Sequence, residues 1–235
     1  MSLKKQDIQN IYPLTPVQEG MLFHELLDEE SVAYTQQTAW RLKGVVEADE
    51  FLQAWNHLIS KHEVLRTVFS YKNSDRPLQI VLKEKPITLD LINLTDHSSE
   101  EDIEAICQQH RISDQMKAFD LDTGPLLRLS LVQLDKDVYE VLFSHHHILF
   151  DGWSFGILIS EFIELYKSIT QDNTASTGPG YPFSPYIKWL ESKPPLDADV
   201  YWRNYLEGFE GPNEWSFASA HSQQSNSITA SKSVK

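Results

Sequence analysis

The sequence predicts an α/β (α+β) lobe, a mixed sheet flanked by helices. Two observations carry that expectation. Stretches with apolar residues at helical spacing alternate along the chain with stretches of period two. Two long apolar runs are also joined by Asp135-Lys136-Asp137, a hairpin signal, so the sheet is not wholly parallel. With 41% hydrophobic and 11% aromatic residues among 235, the chain can fill a real core, which excludes wholesale disorder.

The first helix opens at Thr15-Pro16-Val17-Gln18 and runs through Met21, Leu22 and Phe23 to about Leu27. Thr15 can cap it, Pro16 suits the first turn, and Gln18 completes a capping box. Tyr34 to Leu42 alternates as a strand, with Tyr34, Gln36, Thr38, Trp40 and Leu42 on one side. Ala48 to Lys61 is an amphipathic helix carrying Phe51, Leu52, Trp55, Leu58 and Ile59. Val64 to Tyr71, Leu78 to Lys83 and Ile87 to Leu94 are strands separated by polar turns.

Ser98-Ser99-Glu100-Glu101 caps a helix reaching about Ala118, its acidic first turn matched to the helix dipole. Leu126 to Leu134 and Val138 to Ile148 form the apolar hairpin, and a helix follows from about Ser154 to Ile169. Gln171 to Pro185 is a loop, with short helices around Tyr186 to Glu191 and Ala198 to Gly208. From Gly211 onward the chain is rich in Ser, Asn, Gln and Ala and is expected to be a linker or the severed start of a further element.

The formal charge of −14 repels phosphate backbones and anionic lipid, so nucleic-acid and membrane-surface partners are not expected. A single cysteine, Cys107, leaves no disulfide framework and no Cys-based zinc site within one chain. No apolar run approaches the roughly 20 residues of a membrane helix, and the start lacks a signal-peptide core, so a cytoplasmic protein is expected.

The chemistry concentrates at His145-His146-His147, followed by Ile148-Leu149-Phe150-Asp151-Gly152, at the end of an apolar strand and before a helix. Strand alternation puts His145 and His147 on one side and His146 on the other. Gly152 permits a close approach or a positive φ, and the helix beginning near Trp153-Ser154 aims its amides at the turn. Three readings compete. The histidines can be strand-end side chains satisfied by backbone groups. They can be metal ligands, with His145, His147 and Asp151 converging, although no HExxH helix or distant His-carboxylate pair completes such a site. Or one imidazole can work as a general acid or base, or hold a nucleophile at a polarised carbonyl.

His146 to Gly152 resembles the HHxxxDG motif of the condensation domains of nonribosomal peptide synthetases, which share the chloramphenicol-acetyltransferase-like fold. Three further stretches carry the resemblance. Tyr12-Pro13-Leu14-Thr15-Pro16-Val17-Gln18-Glu19-Gly20-Met21-Leu22-Phe23-His24 is similar to that family's opening motif. Lys61-His62-Glu63-Val64-Leu65-Arg66-Thr67-Val68-Phe69 is similar to the second. Pro185-Tyr186-Ile187-Lys188-Trp189-Leu190 with Tyr201-Trp202 looks like a degraded fourth. The motifs stand in family order and cover about Ile11 to Phe209.

The resemblance implies amide-bond formation between two carrier-bound thioesters, with His147 nearest the chemistry. His146 and Asp151 fall on positions that look structural, and Gly152 on the one that leaves room at a tunnel. It implies Arg66 as a partner for Asp151, with an Arg outside this chain as the alternative, and Trp153 and Ser154 as support. A heterocyclisation domain is out, because aspartates replace the His pair there. An epimerisation domain fits less well, because Asp-Gly-Trp-Ser follows here, and the opening motif looks most like domains taking a donor that ends in a D-residue.

The family's domain has two lobes, so residues 12–210 are expected to be the N-terminal lobe, inactive without the missing C-terminal lobe. Residues 1–11 form a leader, either a solvated tail or an acceptor for the docking helix of an upstream synthetase, with Lys4 and Lys5 as the residues to test. Residues 211–235 are the linker or the start of the second lobe. The domain itself binds no cofactor or metal; phosphopantetheine arrives on donor and acceptor carrier proteins. The alternatives from other classes are a non-catalytic module binding carrier or docking proteins and a stand-alone acyltransferase.

Overall fold

A computed structural model describes residues 4–27, 32–72, 76–96, 99–171, 178–193, 198–209 and 211. The chain divides into two units, Met1–Ser192 and Lys193–Lys235. In the second unit one helix is described, Ala198–Tyr205, on which Tyr201 and Tyr205 stack 5.9 Å apart. Beyond Gly211 the segment read as a linker lies outside the described residues, as do residues 172–177 of the expected loop.

The first unit holds two sheets. β1 (Ile8–Pro13) leads into α1 (Pro16–Leu27), then β2 (Thr35–Lys43) and α2 (Ala48–Lys61). β3 (Thr67–Ser70), β4 (Leu78–Leu82) and β5 (Leu89–Asn93) precede α3 (Glu100–Gln115). The hairpin strands are β6 (Leu127–Asp135) and β7 (Val138–His146), followed by α4 (Gly152–Thr170) and α5 (Ser184–Glu191). The small sheet has the order β1-β4-β3; the large one has the order β2-β7-β6-β5, with β5 parallel to β6 and the other pairs antiparallel. This mixed, helix-flanked architecture is the one the alternating pattern predicts.

Alternation along β7 decides what faces what. Phe143 points toward α2 and α4, where the Trp55 ring lies between Phe143, 5.0 Å away, and Phe162, 4.9 Å away. That stack locks one helix from each side of the sequence onto the centre of the sheet. Glu140 and Ser144 point the other way, to Arg111 and Asp114 of α3. Burial alone would raise the Asp114 carboxyl, yet Arg128, Ser144 and Gln37 hold it below its usual range. A buried charge so fully hydrogen-bonded fixes how α3 lies on the sheet.

The capping box forms as expected. Thr15 donates its amide to Gln18 Oε1 at 2.9 Å, and Gln18 returns its own amide to Thr15 Oγ1 at 3.3 Å.

One expected strand is corrected. The strand expected from Val64 is a 3-10 turn over Glu63–Arg66, and only Thr67–Ser70 is extended. The Leu65 amide donates to the His62 carbonyl at 3.1 Å, and the Thr67 hydroxyl bonds back to the Glu63 carbonyl at 2.8 Å, which closes the turn on itself. Within the expected leader, Ile8 onward pairs with β4, and Ile8 packs with Val68, Ile80 and Leu82.

Among the described glycines, Gly180 lies closest to its neighbours. A Cβ there would sit 2.0 Å from the Lys61 carbonyl oxygen, so only glycine lets this segment lie against the end of α2.

Candidate active site

β7 ends at His146, held between its neighbours' extensions. The His146 amide donates to the Leu126 carbonyl at 2.9 Å, and the His147 amide donates to the Tyr34 carbonyl at 2.8 Å. The chain then turns, with the Leu149 amide on the His146 carbonyl at 3.1 Å. Ile148, Leu149 and Phe150 are all buried, so the turn is anchored by apolar side chains. Gln18 of α1 adds a bond from its side-chain amide to the Ile148 carbonyl at 3.3 Å.

The three histidines have different fates. His145 is buried, its ring stacked 4.2 Å from Phe150 at 10°. Burial, helped by neighbouring His147 and His146, pushes its pKa down to about 4, so it is neutral at pH 7. His146 is 1% exposed on the opposite face, and its Nδ1 accepts the Ile148 amide at 3.1 Å. His147 alone of the three stays half-buried, and each ring keeps one buried nitrogen without a partner, Nδ1 in His145 and His147 and Nε2 in His146. Burial therefore sets His147 apart from the other two, a division that strand alternation does not give, because His147 lies past the end of β7.

Asp151 caps α4. Its backbone is extended, and its carboxylate accepts the Ser154 amide at 3.0 Å and the Ser154 hydroxyl at 3.1 Å. The Ser154 amide, with the hydroxyl and the Trp153 amide behind it, holds the carboxyl below its usual range. Gly152 is the first helical residue; no positive φ is needed there, and a Cβ would meet nothing within 4 Å. That open space and the 90% exposed Trp153 leave the N-terminal end of α4 uncovered beside the turn.

The expected pairing of Arg66 with Asp151 is corrected. The Arg66 guanidinium donates to Gln9 Oε1 at 2.8 Å, to the Leu82 carbonyl and to the Ser60 carbonyl at 3.4 Å. It ties the 3-10 turn to β1 and β4, because a buried guanidinium needs several acceptors at once. The second motif also reaches α4 through His62, whose Nε2 lies 2.6 Å from Glu161 beside Lys61 at 2.9 Å. Its residues serve architecture rather than the turn.

Among the described residues no group of three or more His, Cys, Asp or Glu side chains could hold a metal. His145 is turned into the core, so His145, His147 and Asp151 do not converge as ligands. Lys4 and Lys5 are exposed at the start of the first unit. No helix of the described residues is long and apolar enough to cross a membrane.

One residue of the site escapes sequence reading. Glu25 shares a face of α1 with the buried Gln18 and Leu22 and brings a carboxylate beside His146. Its only signal is helical spacing, seven residues after Gln18.

The Condensation domain family matches residues 8–234. A linear gramicidin synthase of Brevibacillus parabrevis is 40% identical over 210 residues, which are 89% of this chain and 4% of that protein. Tyrocidine synthase 2 of the same organism is 37% identical over 206 residues, 88% of this chain and 6% of its own length. Among solved structures, a mutant of the starter condensation domain of rhizomide synthetase superposes with a TM-score of 0.75 at 19% identity, covering 87% of this chain and 50% of that one. The first condensation domain of the calcium-dependent antibiotic synthetase, with a substrate analogue, gives 0.75 at 19% identity over 87% and 49%. The chain thus spans a small fraction of the synthetases it matches and about half of the solved domains.

Proposed function

The chain belongs to the condensation-domain family, and from that premise we propose that it is the N-terminal lobe of a domain that joins two carrier-bound substrates in a nonribosomal peptide synthetase. The observation that carries the reading is the division of labour among the histidines. His145 is buried against Phe150 and His146 is buried with its Nδ1 on a backbone amide, while His147 remains half-buried on an anchored turn beside the open space at Gly152.

In the proposed reaction an acceptor amine attacks the carbonyl of a donor thioester. A C–N bond forms, the C–S bond breaks, and the thiol leaves with a proton. His147 holds the amine or takes its proton, a role suited to an imidazole near neutral pH. The donor and acceptor ride on phosphopantetheine arms of carrier proteins. The opening motif supports a donor ending in a D-residue, and the names of the similar synthetases, for gramicidin and tyrocidine, support a peptide product. A second lobe would cover the exposed Trp153 and Ile157 of α4 and complete the tunnel.

The test is His147→Ala in the parent synthetase with loaded carriers. Loss of condensation with the melting temperature kept is expected; an unchanged rate removes His147 from the mechanism. Residues 1–235 on their own are expected to show no turnover, since they span about half of the solved condensation domains they superpose on.

A further inference from the structure

Behind the turn, two polar atoms face each other with no other partner. Glu25 Oε2 lies 3.6 Å from His146 Nε2, and both atoms are buried without a hydrogen bond. The distance exceeds a hydrogen bond, but a small rotation of the glutamate closes it. Leaving both groups unpaired away from water would be costly.

The His146 ring is held so that only one tautomer fits. Its Nδ1 accepts the Ile148 amide, so that nitrogen carries the lone pair. The proton of the neutral ring then sits on Nε2, which is the atom aimed at Glu25. Tyr34, 6.0 Å away, and Phe119, edge-on at 6.3 Å, box the ring on its sides. The Ile148 amide belongs to the peptide that follows His147 directly. Whatever fixes the His146 ring therefore fixes the plane of that peptide, and with it the direction of the His147 side chain.

We propose that Glu25 is a positioning residue: its carboxylate accepts the His146 Nε2–H, locks one tautomer, and thereby steadies the turn that displays His147. Its effect on rate rests on the condensation reading above; the tautomer itself does not. Glu25 comes from α1, so the opening motif and the histidine turn are linked twice, through this carboxylate and through Gln18.

Two measurements test the proposal. In the chain labelled with 15N-histidine, ring-nitrogen NMR should show His146 neutral with its proton on Nε2, in the wild type and in Glu25→Gln, whose amide oxygen can still accept. Glu25→Met, similar in length but without an acceptor, should lose the single tautomer. In the parent synthetase Glu25→Met should lower kcat about 10-fold at unchanged KM for the loaded carriers, while Glu25→Gln stays within about 3-fold of wild type. A wild-type His146 protonated on Nδ1, or a Glu25→Met enzyme with normal kcat, overturns the proposal. If Glu25→Met does not fold, the wild-type tautomer and Glu25→Gln decide: a glutamine variant as slow as His147→Ala also overturns it. An unchanged rate in His147→Ala beside the expected tautomer would sink the functional reading and leave the Glu25 pairing standing.

Discussion

Acidification should weaken the fold through His145. In the unfolded chain this imidazole takes a proton near pH 6.5, whereas in the folded chain burial against Phe150, with His147 and His146 nearby, delays protonation to about pH 4. Between those values the unfolded state binds more protons, so stability falls as the pH drops through the window and is fully present above it. At about 1.4 kcal/mol per pH unit, the interval is worth roughly 3 kcal/mol. The perturbation that isolates it is His145→Phe, which keeps a flat ring on Phe150 and removes the titration. Because His145 Nδ1 has no hydrogen-bond partner, the substitution orphans nothing there. Urea unfolding of both proteins at pH 7 and pH 4.5 is the assay. The wild type should lose about 2 to 3 kcal/mol more than the variant over that range. Effects of the other carboxylates and of the net charge of −14 are common to both proteins and cancel in the difference. Parallel losses in the two would refute the assignment of a neutral, buried His145.

Asp151→Ala should lower stability by about 1 kcal/mol, because α4 loses its cap, and Asp151→Asn by only a few tenths. Thermal unfolding separates them; a large loss in the asparagine variant would mean that the carboxylate charge has a partner other than the Ser154 amide and hydroxyl. Gly180→Ala should cost roughly 1 to 3 kcal/mol, since its Cβ would meet backbone at the end of α2. Gly178→Ala is the control, expected near neutral in the same melting experiment because nothing lies within 4 Å of its added Cβ.

What the sequence revealed depended on how local the signal was. α2 was legible to the residue because five large apolar side chains fall on one face between a polar start and His62. The Thr15–Gln18 box was legible because both partners lie within one turn. Period two separates His145 from His146, whose rings pack against Phe150 and Phe119, but it does not reach His147, which lies in the turn past β7. Arg66 was misassigned because its acceptors, Gln9 and the Leu82 and Ser60 carbonyls, are two backbone groups and a neutral amide, and no sequence pattern marks a carbonyl as an acceptor. Glu25 was missed because its neighbour His146 lies across the fold, and one acid on a helix face carries no announcement of that.

The strand pairing sets an order on how the site can be born. β2 bonds along its whole length to β7, with Lys43 opposite Val138 and Thr35 opposite His146, partners separated by about a hundred residues of chain. A ribosome delivers β2 and the apolar face of α2 long before their counterparts exist, so Phe51, Trp55 and Leu58 must wait without Phe143 and Phe162. The histidine turn sits at the far end of the strand that closes this wait. Its amide bonds to the Leu126 and Tyr34 carbonyls need β2 and β6 in place beside β7, so a nascent chain halted anywhere before β7 carries the opening motif without the histidine turn.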